Sequence, residues 1–350
     1  MTRADPLETP AVIVDLDRVA ENIARLQQYL DRHGIANRPH IKTHKVPEIA
    51  HLQVEAGAVG ITCQKVSEAE VMADAGIGDI FIPYNILGVP KLERLMRLAA
   101  RIRLSVTADS TVTVQGYAEA AHAAGRELTV LVEFDSGTRR CGVQSPHEAA
   151  ALARVIARSP GLHFGGLMTF PHNAASDIFV RETRALLAAE DLAIECVSYG
   201  GTPGVWAAHE RTEVTEYRAG TYVYGDRAML KAGAMTPDQV ALSVVCTVVS
   251  RPTAERGILD GGSKTFSSDL MGLEGHGLIL QYPEARFYGM SEEHGHVDFS
   301  ACERRPVIGE RVTVIPNHVC PVSNLFDAVI GVRAGQDPVM LPVAARGRVW

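Results

Sequence analysis

Apolar residues in the first two-thirds of the chain follow two alternating patterns. Short runs of strand length, such as residues 11–15, are followed by longer stretches of helical period rich in Ala, Leu, Arg and Glu, such as residues 16–33. This alternation is typical of repeated βα units around a parallel sheet. Eight such units close a barrel, and we therefore predict an N-terminal (β/α)8 barrel of the TIM type in an α/β protein.

The ends of these runs give the expected elements. The predicted strands are residues 11–15, 38–43, 60–63, 80–83, 103–107, 128–134, 163–169 and 195–198. The predicted helices between them are residues 16–33, 47–56, 67–75, 91–100, 112–124, 146–158 and 179–189.

The pattern changes at about residue 241. From there, β-branched runs such as residues 242–250 and 311–315 are separated by turns and helical period is scarce, which predicts a β-rich domain. We place the barrel domain at residues 1–238 and the β-rich C-terminal domain at residues 239–350. Residues 1–15 are open to either domain.

Composition narrows the class of protein. The chain of 350 residues has a net charge of −7 and no basic stripe, so we expect neither nucleic acid nor a membrane surface as its partner. The sequence shows no apolar run of membrane-spanning length and no signal peptide, which favours a cytoplasmic protein. The six cysteines lie far apart and are expected to be reduced thiols.

A lysine stands at the predicted end of the second strand. Barrel enzymes place their catalytic groups at that end of the strands, and Lys42 there can form a Schiff base with an aldehyde. We expect His40, His44 and Lys45 to lower the pKa of its amine. The alternative is that Lys42 and Lys45 are solvated loop cations. Lys264, after a glycine-rich turn, is a second candidate for the Schiff base.

Other polar segments also follow predicted strands. Arg140 comes after strand 128–134 and can hold a phenolate or a carboxylate. The glycine-bearing segments 198–204 and 218–226 can cradle a phosphate with backbone N–H groups, to which a tyrosine hydroxyl adds a donor. Each feature also has a plainer interpretation, as a surface arginine or a glycine in a turn. His172, after another strand, is either a general base near neutral pH or a loop histidine with no task.

His318 and Cys320 form the best metal-ligand pair in the sequence. In an extended segment, residues i and i+2 project to the same side, so one ion can meet both the imidazole and the thiolate. Two protein ligands leave coordination positions open for water or substrate, as in a catalytic metal site. The alternative is a buried cysteine near a hydrogen-bonded histidine.

These motifs, in this order, resemble the fold-type III pyridoxal-phosphate enzymes, and more narrowly the metal-dependent D-threonine aldolase and D-serine dehydratase family. The resemblance runs from residue 9 to residue 320. Its most specific parts are Arg-Pro-His-Ile-Lys-Thr-His-Lys at residues 38–45 and His-x-Cys at residues 318–320. It implies an alanine racemase-like barrel, a C-terminal β domain that carries the metal ligands, and a head-to-tail homodimer.

The resemblance also implies a role for each site residue. Lys42 is then the lysine that binds pyridoxal 5'-phosphate, and Arg140 contacts the phenolic oxygen of this cofactor. His318 and Cys320 bind a divalent metal ion (Zn, Mn or Mg), and His172 lies near the position of the active-site histidine of the aldolases. The remaining expected cofactor contacts are Tyr199, Gly201, Thr202, Gly220, Thr221 and Tyr222.

The predicted function is a pyridoxal-phosphate- and metal-dependent lyase that acts on D-3-hydroxy amino acids. If a base such as His172 removes the hydroxyl proton, the Cα–Cβ bond breaks and glycine and an aldehyde result, as in a D-threonine aldolase. If Lys42 removes the α-proton and hydroxide leaves, a 2-oxo acid and ammonia result, as in a D-serine or 3-hydroxy-D-aspartate dehydratase. We place the aldolase first.

The choice between these reactions rests on opposing features. The thiolate of Cys320 favours zinc and the dehydratases, whereas the sequence of residues 316–327 and the loop with Tyr222 resemble the aldolases. A non-catalytic pyridoxal-phosphate-binding protein is a further alternative, against which the second domain and the metal pair argue. An alanine-racemase-like enzyme would need a second base, for which the expected tyrosine motif is missing.

Overall fold

The computed structural model describes residues 7–350, which form two compact units. The barrel unit contains Ala24–Lys42, Pro47–Gly220 and Arg348–Trp350. The β unit contains residues 7–23, Thr43–Val46 and Thr221–Gly347. The chain therefore passes from the barrel unit to the β unit at the peptide bond between Lys42 and Thr43.

The elements are numbered in chain order. The strands are β1 (Ala11–Asp15), β2 (Ala36–Asn37), β3 (Ile61–Thr62), β4 (Asp79–Ile82), β5 (Arg103–Ala108), β6 (Leu128–Glu133), β7 (Leu162–Met168), β8 (Cys196–Gly200), β9 (Glu216–Arg218), β10 (Leu242–Ser250), β11 (Arg256–Leu259), β12 (Gly277–Ile279), β13 (Arg286–Met290), β14 (Gly295–Asp298), β15 (Arg311–Pro316), β16 (Ala328–Val332) and β17 (Val339–Pro342).

The helices complete the elements. They are α1 (Leu16–Arg32), α2 (Pro47–Glu55), α3 (Val66–Asp74), α4 (Val89–Ala99), α5 (Thr111–Ala124), α6 (Pro146–Arg158), α7 (Ala174–Leu187), α8 (Arg227–Lys231), α9 (Ser263–Phe266) and α10 (Val319–Leu325). Short 3₁₀ turns are formed by Ile41–Thr43, Ala188–Glu190, Val205–Glu210, Thr221–Val223 and Pro237–Gln239. Among residues 7–350, no helix is both long and apolar enough to cross a membrane.

The strands of the barrel unit form one parallel sheet in the order β2-β9-β8-β7-β6-β5-β4-β3. The segment after β2 joins the two ends of this order. On one side the amide of Arg38 donates to Tyr217 O at 2.9 Å, and on the other the amide of Thr62 donates to Pro39 O at 2.8 Å. His40 and Thr62 form a parallel bridge. The eight strands therefore form a closed ring, which confirms the predicted barrel.

The interior of the barrel is filled by side chains. Phe81 on β4, Leu131 on β6 and Met168 on β7 are buried and pack together. These three side chains come from three different strands of the same sheet. A filled barrel cannot hold a substrate or cofactor along its axis. Its functional groups are therefore expected at the ends of the strands.

The predicted barrel strands differ from the observed ones, because residues 11–15 pair with β10 and β16 in the β unit and the eighth barrel strand is β9, which the sequence pattern did not predict. Two element bounds in the barrel were also wrong. The expected strand 38–43 ends early, because the chain turns at Ile41–Thr43, where the amide of Lys42 lies 3.4 Å from His40 Nδ1. Helix α7 begins at residue 174, five residues before the expected start. The side chain of Asn173 accepts hydrogen bonds from the amides of Ala175 and Ser176, so the helix starts in a polar turn without apolar period.

The β unit is built on a mostly antiparallel sheet. Its main strand order is β13-β14-β11-β10-β1-β16-β17, and β15 pairs with both β10 and β12. Of these pairs, β1 with β16 is parallel. Along β10, Leu242, Val244, Cys246 and Val248 are buried and alternate with more exposed residues, as the period of a half-buried strand requires. The predicted β-rich fold is confirmed, while the domain boundary at residue 238 stays a prediction.

Candidate active site

Lys42 lies in the 3₁₀ turn that follows β2, at the carboxyl end of a barrel strand. Its ammonium nitrogen is 6.0 Å from the centroid of the Phe170 ring. His40 stands beside it with Nε2 2.9 Å from Gln64 Oε1. Burial, and after it the charge of Lys42, lowers the pKa of His40 well below its ordinary value, so this imidazole is neutral at pH 7. Lys42 therefore has a neutral neighbour on this side.

Arg140 lies beside the same aromatic ring. Its guanidinium carbon is 4.9 Å from the centroid of Phe170, and its Nη2 is 3.5 Å from Oε1 of Glu133. Burial raises the pKa of Glu133, although the charges of Arg140 and Arg218 oppose that shift. Phe170 thus has the Lys42 ammonium and the Arg140 guanidinium as neighbours, which brings two of the predicted site residues to one end of the barrel.

The loop after β8 contains Gly201, with φ of 110°. A Cβ at this position would lie 3.2 Å from Cε2 of Phe170, so the site leaves room for glycine alone without a shift of that ring. Thr202, the next residue, is buried. Arg218, on β9, is buried and donates to Ser198 Oγ at 2.8 Å and to Thr169 O at 2.9 Å. The loop itself is held where the amide of Gly201 donates to Arg218 O at 3.4 Å.

His172 belongs to a hydrogen-bonded network beside this loop. Its Nε2 lies 2.9 Å from the hydroxyl of Tyr217, which donates to Gly201 O at 2.8 Å. Since that hydroxyl proton goes to Gly201, His172 carries its own proton on Nε2. Its Nδ1 is buried and has no hydrogen-bond partner among residues 7–350. Burial lowers the pKa of His172, so the ring is a neutral base with one unused lone pair.

Tyr199 packs against this histidine. The two rings are stacked with centroids 5.4 Å apart. The buried hydroxyl of Tyr199 donates to Asp177 Oδ1 on α7 at 3.1 Å, and burial, followed by the Asp177 charge, raises its pKa far above the ordinary value. Tyr199 therefore supports the His172 ring.

The β unit holds His318 and Cys320 at the start of α10. His318 is extended, but Cys320 lies in the first helical turn, so the expected extended segment is wrong for its second half. The helix starts here because Asp226 Oδ2 accepts the amide of Val319 at 3.1 Å. The two predicted ligands nevertheless meet, since the side chain of His318 hydrogen-bonds to Cys320.

A carboxylate and a hydroxyl flank this pair. His318 Nδ1 lies 2.6 Å from Asp269 Oδ2, and Thr43 Oγ1 lies 3.3 Å from Cys320 Sγ. Burial lowers the pKa of His318, but Cys320 and Asp269 outweigh it and raise that pKa to about 9. In residues 7–350, no group of three or more His, Cys, Asp and Glu side chains is arranged to hold a metal ion. The pair can therefore offer two ligands, one nitrogen and one sulfur.

The second glycine segment ends in a tight turn. Gly220 precedes the 3₁₀ turn Thr221–Val223, in which Tyr222 is buried. The hydroxyl of Thr221 lies 4.0 Å from Cys320 Sγ. Thr221 therefore lies near one of the two predicted metal ligands.

Lys264 does not share these surroundings. Its ammonium is exposed and pairs with Glu293 at 2.7 Å. The sequence also gave no signal for Asp269 or Phe170. Asp269 lies 49 residues from its histidine partner, and Phe170 stands in a loop without a motif.

The arrangement defines the class of protein. It combines a closed βα barrel, a lysine in the turn after β2, and a β unit with a His-x-Cys pair. A model of the alanine racemase N-terminal domain matches residues 14–228, and a putative serine dehydratase domain matches residues 241–332. This is the architecture of the fold-type III pyridoxal-phosphate enzymes.

The chain belongs to the D-threonine aldolase and D-serine dehydratase family of these enzymes. It is 34% identical to a D-threonine aldolase of Arthrobacter over 98% of this chain and 94% of that one. D-threonine aldolase from Filomicrobium marinum has a similar structure, with a TM-score of 0.89, 33% identity and coverage of 98% and 97%. For D-threo-3-hydroxyaspartate dehydratase from Delftia the values are 0.86, 30%, and 99% of both chains. A variant of such a dehydratase is known in a metal-free form.

Proposed function

We propose that this chain is a pyridoxal-phosphate- and divalent-metal-dependent lyase that cleaves D-3-hydroxy amino acids to glycine and an aldehyde. The observation that carries the proposal is that Lys42 is followed directly in the chain by Thr43, a residue that contacts Cys320. Lys42 ends the barrel segment, and the hydroxyl of Thr43 lies 3.3 Å from the sulfur of Cys320. One peptide bond therefore separates the proposed cofactor lysine from the residue whose hydroxyl lies beside Cys320.

The residues of the barrel unit suit pyridoxal phosphate. Lys42 provides the amine for the cofactor aldehyde, and Arg140 provides a donor for the phenolic oxygen. Gly201 and Thr202 form the proposed phosphate loop, in a cradle that a Cβ at Gly201 would narrow. The bound cofactor supplies an electron sink for the charge that develops at the substrate Cα. Tyr199, Gly220, Thr221 and Tyr222 are the other proposed contacts.

The β unit would hold the metal ion. His318 and Cys320 offer an imidazole and a thiolate, a donor set that suits zinc, with manganese and magnesium as alternatives. A metal ion there supplies a Lewis acid that lowers the pKa of the substrate β-hydroxyl. The metal-free form of a related dehydratase supports a metal in this family.

His172 is the proposed base for the aldolase reaction. Its Nε2 is occupied by Tyr217, so Nδ1 is the atom that can take the hydroxyl proton. Loss of that proton allows the Cα–Cβ bond to break. The stacked Tyr199 keeps the ring in place, because its own hydroxyl is bound to Asp177.

A dehydratase is the second candidate. The thiolate ligand and the likeness to D-threo-3-hydroxyaspartate dehydratase favour it. In this reaction Lys42 would remove the α-proton and the β-hydroxyl would leave as hydroxide, and water would then hydrolyse the released enamine to a 2-oxo acid and ammonia.

Product analysis tests the proposal. The holoenzyme is incubated separately with D-threonine, D-serine and 3-hydroxy-D-aspartate, with L-threonine as the control. We expect glycine and acetaldehyde from D-threonine and nothing from the L enantiomer. A 2-oxo acid with ammonia would make the dehydratase correct. D-alanine is incubated in the same way, and if it alone reacts and gives L-alanine, both lyase proposals fail.

Two broader expectations belong to the proposal. We expect a homodimer, which sedimentation equilibrium would measure, and a cytoplasmic location, which cell fractionation would measure. The small-molecule substrate remains the principal partner in either case.

A further inference from the structure

The His318 ring is held from behind by a carboxylate. Asp269 Oδ2 lies 2.6 Å from His318 Nδ1. An ionised carboxylate only accepts hydrogen bonds, so the Nδ1 position must carry the proton. The lone pair available to a metal ion is then on Nε2, and the same ring hydrogen-bonds to Cys320. Histidine ligands of metal ions commonly have such an outer carboxylate.

Asp269 is itself fixed by its loop. Its Oδ1 accepts the amide of Met271 at 3.2 Å, and its own amide donates to Ser267 Oγ at 3.2 Å. Ser267 and Met271 both have positive φ, 59° and 50°, which is rare for residues with a side chain. The loop thus accepts two strained residues and directs one carboxylate oxygen toward the histidine.

A second carboxylate has a different task. Asp226 is buried and accepts the amides of Val319 and Met229, so it fixes the backbone at the starts of α10 and α8. Asp269 instead contacts the imidazole. Its side chain is 45% exposed, which makes it the better residue to vary.

We propose that Asp269 is a positioning residue of the metal site, which orients His318 so that Nε2 faces the ion beside Cys320. The proposal rests on the metal role proposed for His318 and Cys320. The carboxylate acts on the His318 ligand and not on the substrate. Its effect on metal affinity can therefore be measured without turnover.

Metal affinity of the substrate-free holoenzyme tests this role. Zinc is titrated in competition with a chromophoric chelator, and cobalt is used to observe the thiolate-to-metal charge-transfer band of Cys320. We expect Asp269→Ala to bind zinc about 10- to 100-fold more weakly than the parent protein. Asp269→Asn, which keeps an acceptor without the charge, should lie between them.

Glu274→Ala is the matched control. Glu274 is an exposed carboxylate later in the same chain segment, and its loss removes the same charge. We expect its zinc affinity to equal that of the parent protein. Circular dichroism of each variant checks that the fold is kept.

The outcomes separate the two proposals. If the parent protein binds zinc and both Asp269 variants bind it equally well, the role of Asp269 is wrong and the proposed metal pair stands. If His318→Ala and Cys320→Ala bind zinc as tightly as the parent protein, the metal pair itself is wrong. If Glu274→Ala weakens zinc binding as much as Asp269→Ala does, the loss of one negative charge explains the effect. That result would also overturn the proposal.

Discussion

The hydroxyl oxygen of Thr43 lies 3.3 Å from the sulfur of Cys320, although 277 residues separate them in the sequence. Thr43 is fully buried and directly follows Lys42. A hydroxyl beside a thiolate can donate a hydrogen bond, and such bonds to charged groups contribute more than neutral ones. The contact therefore links the chain segment of the proposed cofactor lysine to one of the proposed metal ligands.

Thr43→Val should weaken metal binding. Valine keeps the shape of threonine but cannot donate to the Cys320 sulfur. A hydrogen bond to a charged group contributes about 1.5–3 kcal/mol, so we expect zinc affinity to fall by about tenfold or more. Chelator competition measures this, and Thr43→Ser, which keeps the hydroxyl, should bind like the parent protein. Equal affinity of the valine variant would show that the contact does not support the ligand.

His172→Phe should abolish most of the retro-aldol turnover. Phenylalanine preserves the stacking on Tyr199 but has no basic nitrogen. Removal of a general base costs about 10²- to 10⁴-fold, so kcat should fall by that amount while the cofactor stays bound. Tyr217→Phe, which removes the partner of Nε2 and the donor to Gly201 O but keeps the base, should have a smaller effect. Unchanged glycine formation by His172→Phe would assign the base to another residue.

The pH profile provides an independent check of the same histidine. Burial lowers the pKa of His172 below its ordinary value of 6.5, so its neutral form persists to more acidic pH. We therefore expect kcat/KM to stay level down to a pH below 6.5 and then to fall as the ring gains a proton. That acidic limb should be missing from the residual activity of His172→Phe. A limb of the same position in the variant would belong to a different group.

Gly201→Ala should reduce cofactor affinity. The added Cβ would lie 3.2 Å from the Phe170 ring, at φ of 110°. Gly88→Ala is the control, because Gly88 also has positive φ, 92°, but a Cβ there meets nothing within 4 Å. Unfavourable φ costs about 1–3 kcal/mol, so both variants should lose thermal stability. Equilibrium dialysis should show weaker pyridoxal-phosphate binding for Gly201→Ala alone, and equal binding by the two variants would contradict the proposed phosphate loop.

The fold could be predicted because its signals are local. Strand-length apolar runs that alternate with helical period are sufficient for a βα barrel, and β10 is visible in the sequence as a β-branched run. The first and last residues of the helices and strands were harder to predict from the sequence. The start of α7 depends on the hydrogen bonds of Asn173, and the turn at Lys42 depends on His40 Nδ1, neither of which changes the apolar pattern.

The site could be predicted only as separate motifs. Lys42, Arg140 and the His318–Cys320 pair stand in short segments with distinctive residues, so each was visible alone. Their partners were not. Phe170 and Asp269 take their positions from the folded chain, and an aspartate 49 residues from its histidine has no spacing rule that would reveal it.

The most direct test of the account locates the lysine that carries the cofactor. Sodium borohydride makes the bond between a lysine and pyridoxal phosphate permanent, and mass spectrometry of the digested holoenzyme then identifies the modified peptide. The account predicts that Lys42 carries the label and that Lys42→Ala prevents labelling. Labelling of Lys264 or Lys45 in the parent protein, with Lys42 unmodified, would contradict it.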